Sequence, residues 1–240
     1  MKTCKISLLF ALLAFLSTAA RSAVTFGDLP LWFESAAQNT FVTRGSGVEF
    51  QINGSGAEFI LEGAGSTPAR CGMQFAGGKS DALIAGLQPL AGKINRFEGG
   101  KKELNIALFS RVSVDDIYPG ISVIYYGSQE QLEYDFKLAP GADPAQIKLH
   151  FTGTRKISVE PDGSLKIALQ GGSIFQHPPV AYQMINGSRQ PVTAGYALLE
   201  KNVVGFDLGK YDHSQALIID PVLSYSTYFG GKYGDTPAAV

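Results

Sequence analysis

The sequence predicts an all-β protein, an antiparallel β-sandwich built of two packed β-rich subdomains with little helix. Three observations carry that expectation. Between Arg111 and Phe151 apolar and polar residues alternate almost strictly, and a period of two is what a strand with one buried and one solvated face requires. Elsewhere short apolar runs are separated by Gly, Pro and Asn clusters at roughly the 8 to 12 residue spacing of sandwich strands. No segment carries a convincing helical period.

The chain opens on a targeting segment. Lys2 and Lys5 precede the apolar run Ile6 to Leu16, and Ser17-Thr18-Ala19-Ala20-Arg21-Ser22-Ala23 follows, so residues 1–23 read as a secretory signal cleaved between Ala19 and Ala23. The apolar run is shorter than the roughly 20 residues a bilayer span takes. Cys4 stands before that run, where it cannot serve as a lipoprotein cysteine. The expected product is secreted or displayed at the cell surface, with no membrane span.

Residues 24–110 form the first expected subdomain. Phe41 to Thr43, Val48 to Ile52 and Ala57 to Leu61 have strand character, and Asn53-Gly54 signals a two-residue hairpin because both centres of a type I′ turn need positive φ. Cys71 to Phe75 is a further strand, whereas Gly77 to Gly92 lacks a pattern and leaves room for a helical turn. Lys93 to Phe97 and Leu104 to Phe109 resume strand character around Glu98 to Lys102.

A seam near residue 110 opens the second subdomain, 111–222. Leu132, Tyr134, Phe136 and Leu138 fall on one face of a strand, and Glu133, Asp135 and Lys137 on the other. Ile147, Leu149 and Phe151 repeat the pattern beyond the Pro140-Gly141 turn, so both runs are expected to share one core. Two hairpins follow, one across Pro161-Asp162-Gly163 and one across Asn186-Gly187 that sets Val180–Met184 against Val192–Leu198. Val203 to Leu208 and Ala216 to Ile219 complete the strands.

Composition excludes some functions. Loss of Lys2, Lys5 and Arg21 with the signal leaves 17 basic residues (20 − 3) against 21 acidic, a net charge of −4 (17 − 21). With interspersed charges and no adjacent basic residues beyond the pairs Lys101-Lys102 and Arg155-Lys156, the sequence shows no basic run for a phosphate backbone, and nucleic acid is not an expected partner. Cys71 alone remains after cleavage, so no intrachain disulfide forms and stability rests on burial.

Catalytic spacing is scarce. Asp212-His213-Ser214 has the letters of a hydrolytic triad, but neighbours in sequence cannot place a base between nucleophile and acid. No nucleophile elbow occurs, and His150, His177 and His213 lack metal-ligand spacing. Glu133 and Asp135, about 6 to 7 Å apart along one strand face, have the separation of a glycosidase pair, although Lys137 continues the row as a solvated face would. Asp115-Asp116 lacks a calcium loop, and Trp32, beside Pro30 and Phe33, suits either a sugar platform or a core. No catalytic residue, metal or cofactor is assigned.

Three phrases go beyond pattern: V-D-D-I-Y-P-G-I-S-V-I-Y-Y-G-S-Q-E-Q-L-E-Y-D-F (114–136), A-P-G-A-D-P-A-Q-I (139–147) and Y-D-H-S-Q-A-L-I-I-D-P-V-L-S-Y-S-T-Y-F-G-G (211–231). Together they resemble the N-terminal domain, of unassigned function, of bacterial secreted proteins with SBBP-type β-propeller repeats. Tyr225-Ser226-Thr227-Tyr228-Phe229-Gly230-Gly231 resembles the phrase that begins such a repeat, which places 223–240 at the start of a truncated one. Leu29 to Glu34 resembles the family's opening, but the Asn and Gly-Gln that follow there are absent.

The resemblance implies an exported, non-catalytic module preceding a propeller. Its expected role is surface binding, adhesion or structural presentation, with a surface glycan or protein as ligand. A carbohydrate-active hydrolase using the surface carboxylates is the alternative. The shared residues Asp116, Tyr118, Pro119, Gly120, Tyr125, Tyr126, Gly127, Glu133, Tyr134, Asp135, Pro140, Gly141, Asp220 and Pro221 are expected to be structural: turns at Pro-Gly, an extended end at Asp-Pro, and tyrosines with buried bodies and polar tips.

Overall fold

The computed structural model describes residues 31–36, 39–45, 48–61, 68–128, 131–170, 172–221 and 223–224. The signal segment and the repeat-like phrase at 225–231 lie outside them. Strands follow one another as β1 (Phe33–Ala36), β2 (Thr40–Gly45), β3 (Val48–Asn53), β4 (Gly56–Leu61), β5 (Ala69–Phe75), β6 (Leu83–Glu98), β7 (Lys101–Tyr118), β8 (Ile121–Ser128) and β9 (Gln131–Leu138). After a 3-10 turn at Pro144–Gln146 come β10 (Leu149–Thr152), β11 (Lys156–Val159), β12 (Leu165–Leu169), β13 (Gly172–Gln176), β14 (Val180–Ile185), β15 (Ser188–Val192), β16 (Ala194–Glu200), β17 (Val203–Leu208), β18 (Leu217–Asp220) and β19 (Leu223–Ser224). The all-β expectation holds, in antiparallel sheets packed together.

One sheet has the order β15-β14-β18-β9-β8-β7-β1-β2-β3-β4-β5-β10-β17-β16, with β6 on β7; the other is β11-β12-β13-β19. The large sheet packs against itself. β5 stands seven places from β9 along it, roughly 34 Å in a flat sheet at about 4.8 Å per strand. Yet Phe75 on β5 and Phe136 on β9 meet edge to face with ring centroids 6.1 Å apart. Two of the large sheet's junctions are short: β1 joins β7 through Phe33↔Phe109 and Glu34↔Leu108, and β10 joins β17 through Leu149↔Val204 and His150↔Val203. The inward faces of β3, β4, β5, β8, β9 and β10 thereby close one core, which Leu165, Ile167, Leu169 and Ile174 of the smaller sheet also enter.

The alternation expected of β9 and β10 is present: Leu132, Tyr134, Phe136, Leu138, Leu149 and Phe151 are all buried. Three expectations need correction. The Asn53-Gly54 hairpin forms one residue later, with Asn53 opposite Gly56 and Gly54-Ser55 at its centre. Asn53 caps it by accepting from the Ser55 amide at 2.9 Å, and a side chain at Gly54 would strike the Ala82 carbonyl at 2.5 Å. Across Asn186-Gly187, whose φ values are 50° and 77°, β14 meets only Ser188–Val192, because β16 turns away to pair with β17. The patternless stretch ahead of Gly92 is strand from Leu83 onward.

Candidate functional site

Residues shared with the resembled family converge first on the outer face of the large sheet. Glu133 and Asp135 leave β9 opposite Tyr126 and Ile124 of β8, and Arg111 of β7 stands opposite Tyr126. On the other side of β9, β18 pairs Ile219 with Phe136, which turns the next residue, Asp220, outward beside Asp135. The Tyr126 hydroxyl donates to Asp135 Oδ1 at 2.9 Å, and the Arg111 guanidinium lies 5.3 Å from the Tyr126 ring centre. Lys137 is exposed, as a solvated row requires, whereas Glu133 and Asp135 are half-buried.

Burial sets the electrostatics of this row. It raises the Asp135 carboxyl, against the hydrogen bond from Tyr126 and the charge of Lys137. It raises Asp220 to about 6, aided by the charges of Asp135 and Glu133 and opposed by Arg189. Asp220 Oδ1 is buried without a hydrogen-bond partner among the described residues. Burial beside other carboxylates thus favours the neutral form of both groups. Sequence reasoning gave Asp220 only a backbone role, because its neighbour across the sheet is 85 residues away.

The other shared residues organise turns and packing. Asp116 adopts φ 50° at the bulge in β7 and donates its amide to Ser122 Oγ at 3.1 Å, a backbone conformation that Asp tolerates better than most residues. Pro119-Gly120, with Gly120 at φ 71°, has the residue pattern of a type II turn between β7 and β8. A side chain at Gly127 would meet Leu31 Cβ at 2.5 Å. Tyr118 is buried, and its hydroxyl lies within hydrogen-bond distance of the Ala76 and Lys148 carbonyls and accepts from the Lys148 amide.

Tyr125 and Tyr134 are fully buried with ring centroids 5.8 Å apart. Tyr134 donates to Gln176 Oε1 at 3.3 Å, while the Tyr125 hydroxyl has no hydrogen-bond partner among the described residues. Pro221 is buried where the chain leaves β18. Trp32 is half-buried between Leu31 and Phe33, both in the core. Among the described residues, no three His, Cys, Asp or Glu side chains come together to hold a metal ion.

A second site lies at the turn following Pro140. Phe206 and Leu208 from the end of β17, Tyr211 and His213 from the following loop, Lys210, and Asp143 at the 3-10 turn line an open groove of about 500 Å³. The Tyr211 and His213 rings lie 4.2 Å apart, and Tyr211 Oη is buried without a hydrogen-bond partner among the described residues. The Gly141 amide, at φ 78°, donates to the His213 carbonyl at 2.8 Å, and the Gly209 amide to the Thr193 carbonyl at 2.8 Å. Gln183, buried on β14, fixes the rest of the loop: its Nε2 donates to the Asp212 carbonyl at 2.7 Å and its Oε1 accepts from the Asp212 amide at 2.9 Å.

The Asp212-His213-Ser214 letters resolve here into a turn. Asp212 Oδ1 accepts from the Ser214 amide at 2.9 Å and hydroxyl at 2.7 Å, bonds that hold its carboxyl below the ordinary aspartate value, and His213 stacks on Tyr211 instead. The groove was not legible in the sequence, because its walls come from two segments some 60 residues apart, 143–145 and 206–213. A buried Gln in an otherwise alternating strand was the one available signal.

No curated protein and no solved structure matches the chain. A family model described as a domain of unknown function, DUF7948, matches residues 32–222, the stretch that holds the sheet-face carboxylates, the groove and nearly every described strand. The chain therefore belongs to the DUF7948 family.

Proposed function

We propose that the chain is an exported, non-catalytic β-sandwich module that precedes a β-propeller and binds a glycan at the cell surface. The groove carries this reading: half-buried aromatic rings of Phe206 and Tyr211, with His213, stand beside Asp143 and Lys210. That combination offers apolar faces for the C–H side of a sugar ring and polar ends for its hydroxyls. Export rests on the N-terminal segment, and the propeller on the phrase at 225–231.

A glycan array probed with the purified protein tests the binding role. Tyr211→Ala should weaken any bound glycan about tenfold, the worth of one stacking contact, with circular dichroism unchanged. An array without binding, or binding indifferent to this substitution, rejects the groove. A reading frame that continues beyond codon 240 into further Gly-Asp repeats supports the propeller, and a stop codon there opposes it.

The raised Asp220 beside Asp135 and Glu133 favours a second reading, hydrolysis of a glycosidic bond on the sheet face. It requires that the protein turn over a glycan and lose that activity on Glu133→Ala or Asp220→Asn. Binding without turnover leaves the first reading in place.

A further inference from the structure

The outer half of the β6–β7 hairpin has no part in the core or in either site above. Among the described residues β6 pairs only with β7, and β7 takes β1 and β8 as its second neighbour only from Leu108 onward, so Lys93–Ala107 is a ribbon two strands wide. Gly99 and Gly100, at φ 55° and 79°, close it in the tight turn that two positive φ values make. No residue from Gln88 to Asn105 whose exposure is described is buried.

The ribbon's two faces differ in chemistry. On the first, Ile94 and Arg96 are half-buried, and Arg96 bonds both Glu34 of β1 and Glu103, the latter at 3.1 Å. This face is pinned to the body. On the second, register and alternation place Lys93, Phe97, Lys102 and Leu104 together, with Phe97 68% and Leu104 48% exposed and Lys102 Nζ 5.6 Å from the Phe97 ring centre. The acidic residues of the stretch, Glu98 and Glu103, stand in register with Lys101 and Arg96. The outward face therefore offers two large apolar groups and two cations.

Lysines on an exposed edge are explained by protection against strand pairing, but an exposed Phe and Leu beside them work against it. Exposed apolar side chains and cationic stems that reach back to headgroups suit one partner, the surface of an anionic phospholipid bilayer. We propose that this ribbon docks the protein on such a surface, with Phe97 and Leu104 entering the interface and Lys93 and Lys102 meeting the phosphates. With so few groups, the docking is weak and reversible, no stronger than a single acyl chain gives, about 10⁴ M⁻¹.

Co-sedimentation with phosphatidylcholine vesicles, with and without phosphatidylglycerol, tests the proposal. Binding is expected only to the anionic vesicles and should fall with added salt. Lys93→Gln with Lys102→Gln should weaken it about 30-fold, taking roughly a factor of five per cation, while the charge-matched Lys156→Gln with Lys201→Gln should not. Phe97→Trp in a Trp32→Phe background should shift its indole emission to the blue on anionic vesicles, which reads insertion directly and does not depend on a loss of binding. The proposal is overturned by absence of binding to anionic vesicles, by equal losses in the control pair, or by an unshifted indole emission from the Phe97→Trp variant together with tighter binding to heparin, which would mark a polyanion site.

Discussion

Asp220 shows how one residue acquires a property its sequence position does not announce. Its local assignment, the extended residue before Pro221, is that of a strand end, and the chain does end β18 there. Its carboxyl, however, is lifted to about 6 by burial first and by Asp135 and Glu133 next. A raised acid means that the folded protein keeps a proton the unfolded chain has already lost, so stability falls as pH rises from about 4 to about 6 and is level above that. Because Asp220 is only part-buried, solvent screening reduces the effect to roughly 1 kcal/mol. Asp220→Asn should therefore raise stability by about 1 kcal/mol at pH 8 and leave it unchanged near pH 4. Urea midpoints at the two pH values check this, and a loss of stability at pH 8 would show that the carboxylate has a partner that keeps it charged.

At the scale of elements, the regular strands were legible and their terminations less so. Tyr134, Phe136 and Leu138 alternate because one face of β9 is buried and the other wet, and that contrast is written into the composition. β6 has no such contrast between Leu83 and Gly92, since it lies at an edge with much of its surface exposed, and its pattern is accordingly faint. The loop at 211–216 is also invisible locally. Its conformation depends on Gln183, whose buried amide meets the Asp212 backbone from 29 residues away. Gln183→Ala should cost about 2 kcal/mol, because backbone groups lose buried partners, and should reduce glycan binding at the groove together with Tyr211→Ala. Thermal denaturation and the array measure the two effects separately. Retained stability would mean that water replaces the amide.

For the molecule as a whole, the bend of the large sheet is the decisive feature. It brings Phe136 onto Phe75 and Phe206, side chains of β5 and β17, so residues before and after position 110 share one apolar interior. Phe136→Ala should cost about 3 to 5 kcal/mol, the range for a buried Phe emptied to a methyl. Chemical denaturation of this variant and of the parent should give one transition, coincident in circular dichroism and fluorescence. Two separated transitions would mean that the segments on either side of residue 110 fold as independent units.

Fold class, strand polarity and the facing of Glu133, Asp135 and Lys137 follow from the sequence alone, because alternation and turn residues act over a few neighbouring positions. The meeting of Asp220 with Asp135, the clamp of Gln183 on the 211–216 loop and the groove between β17 and the Pro140 turn were decided only in three dimensions. Each joins segments far apart in the chain, and their distance is fixed by how the sheet curls and not by any local preference of the backbone.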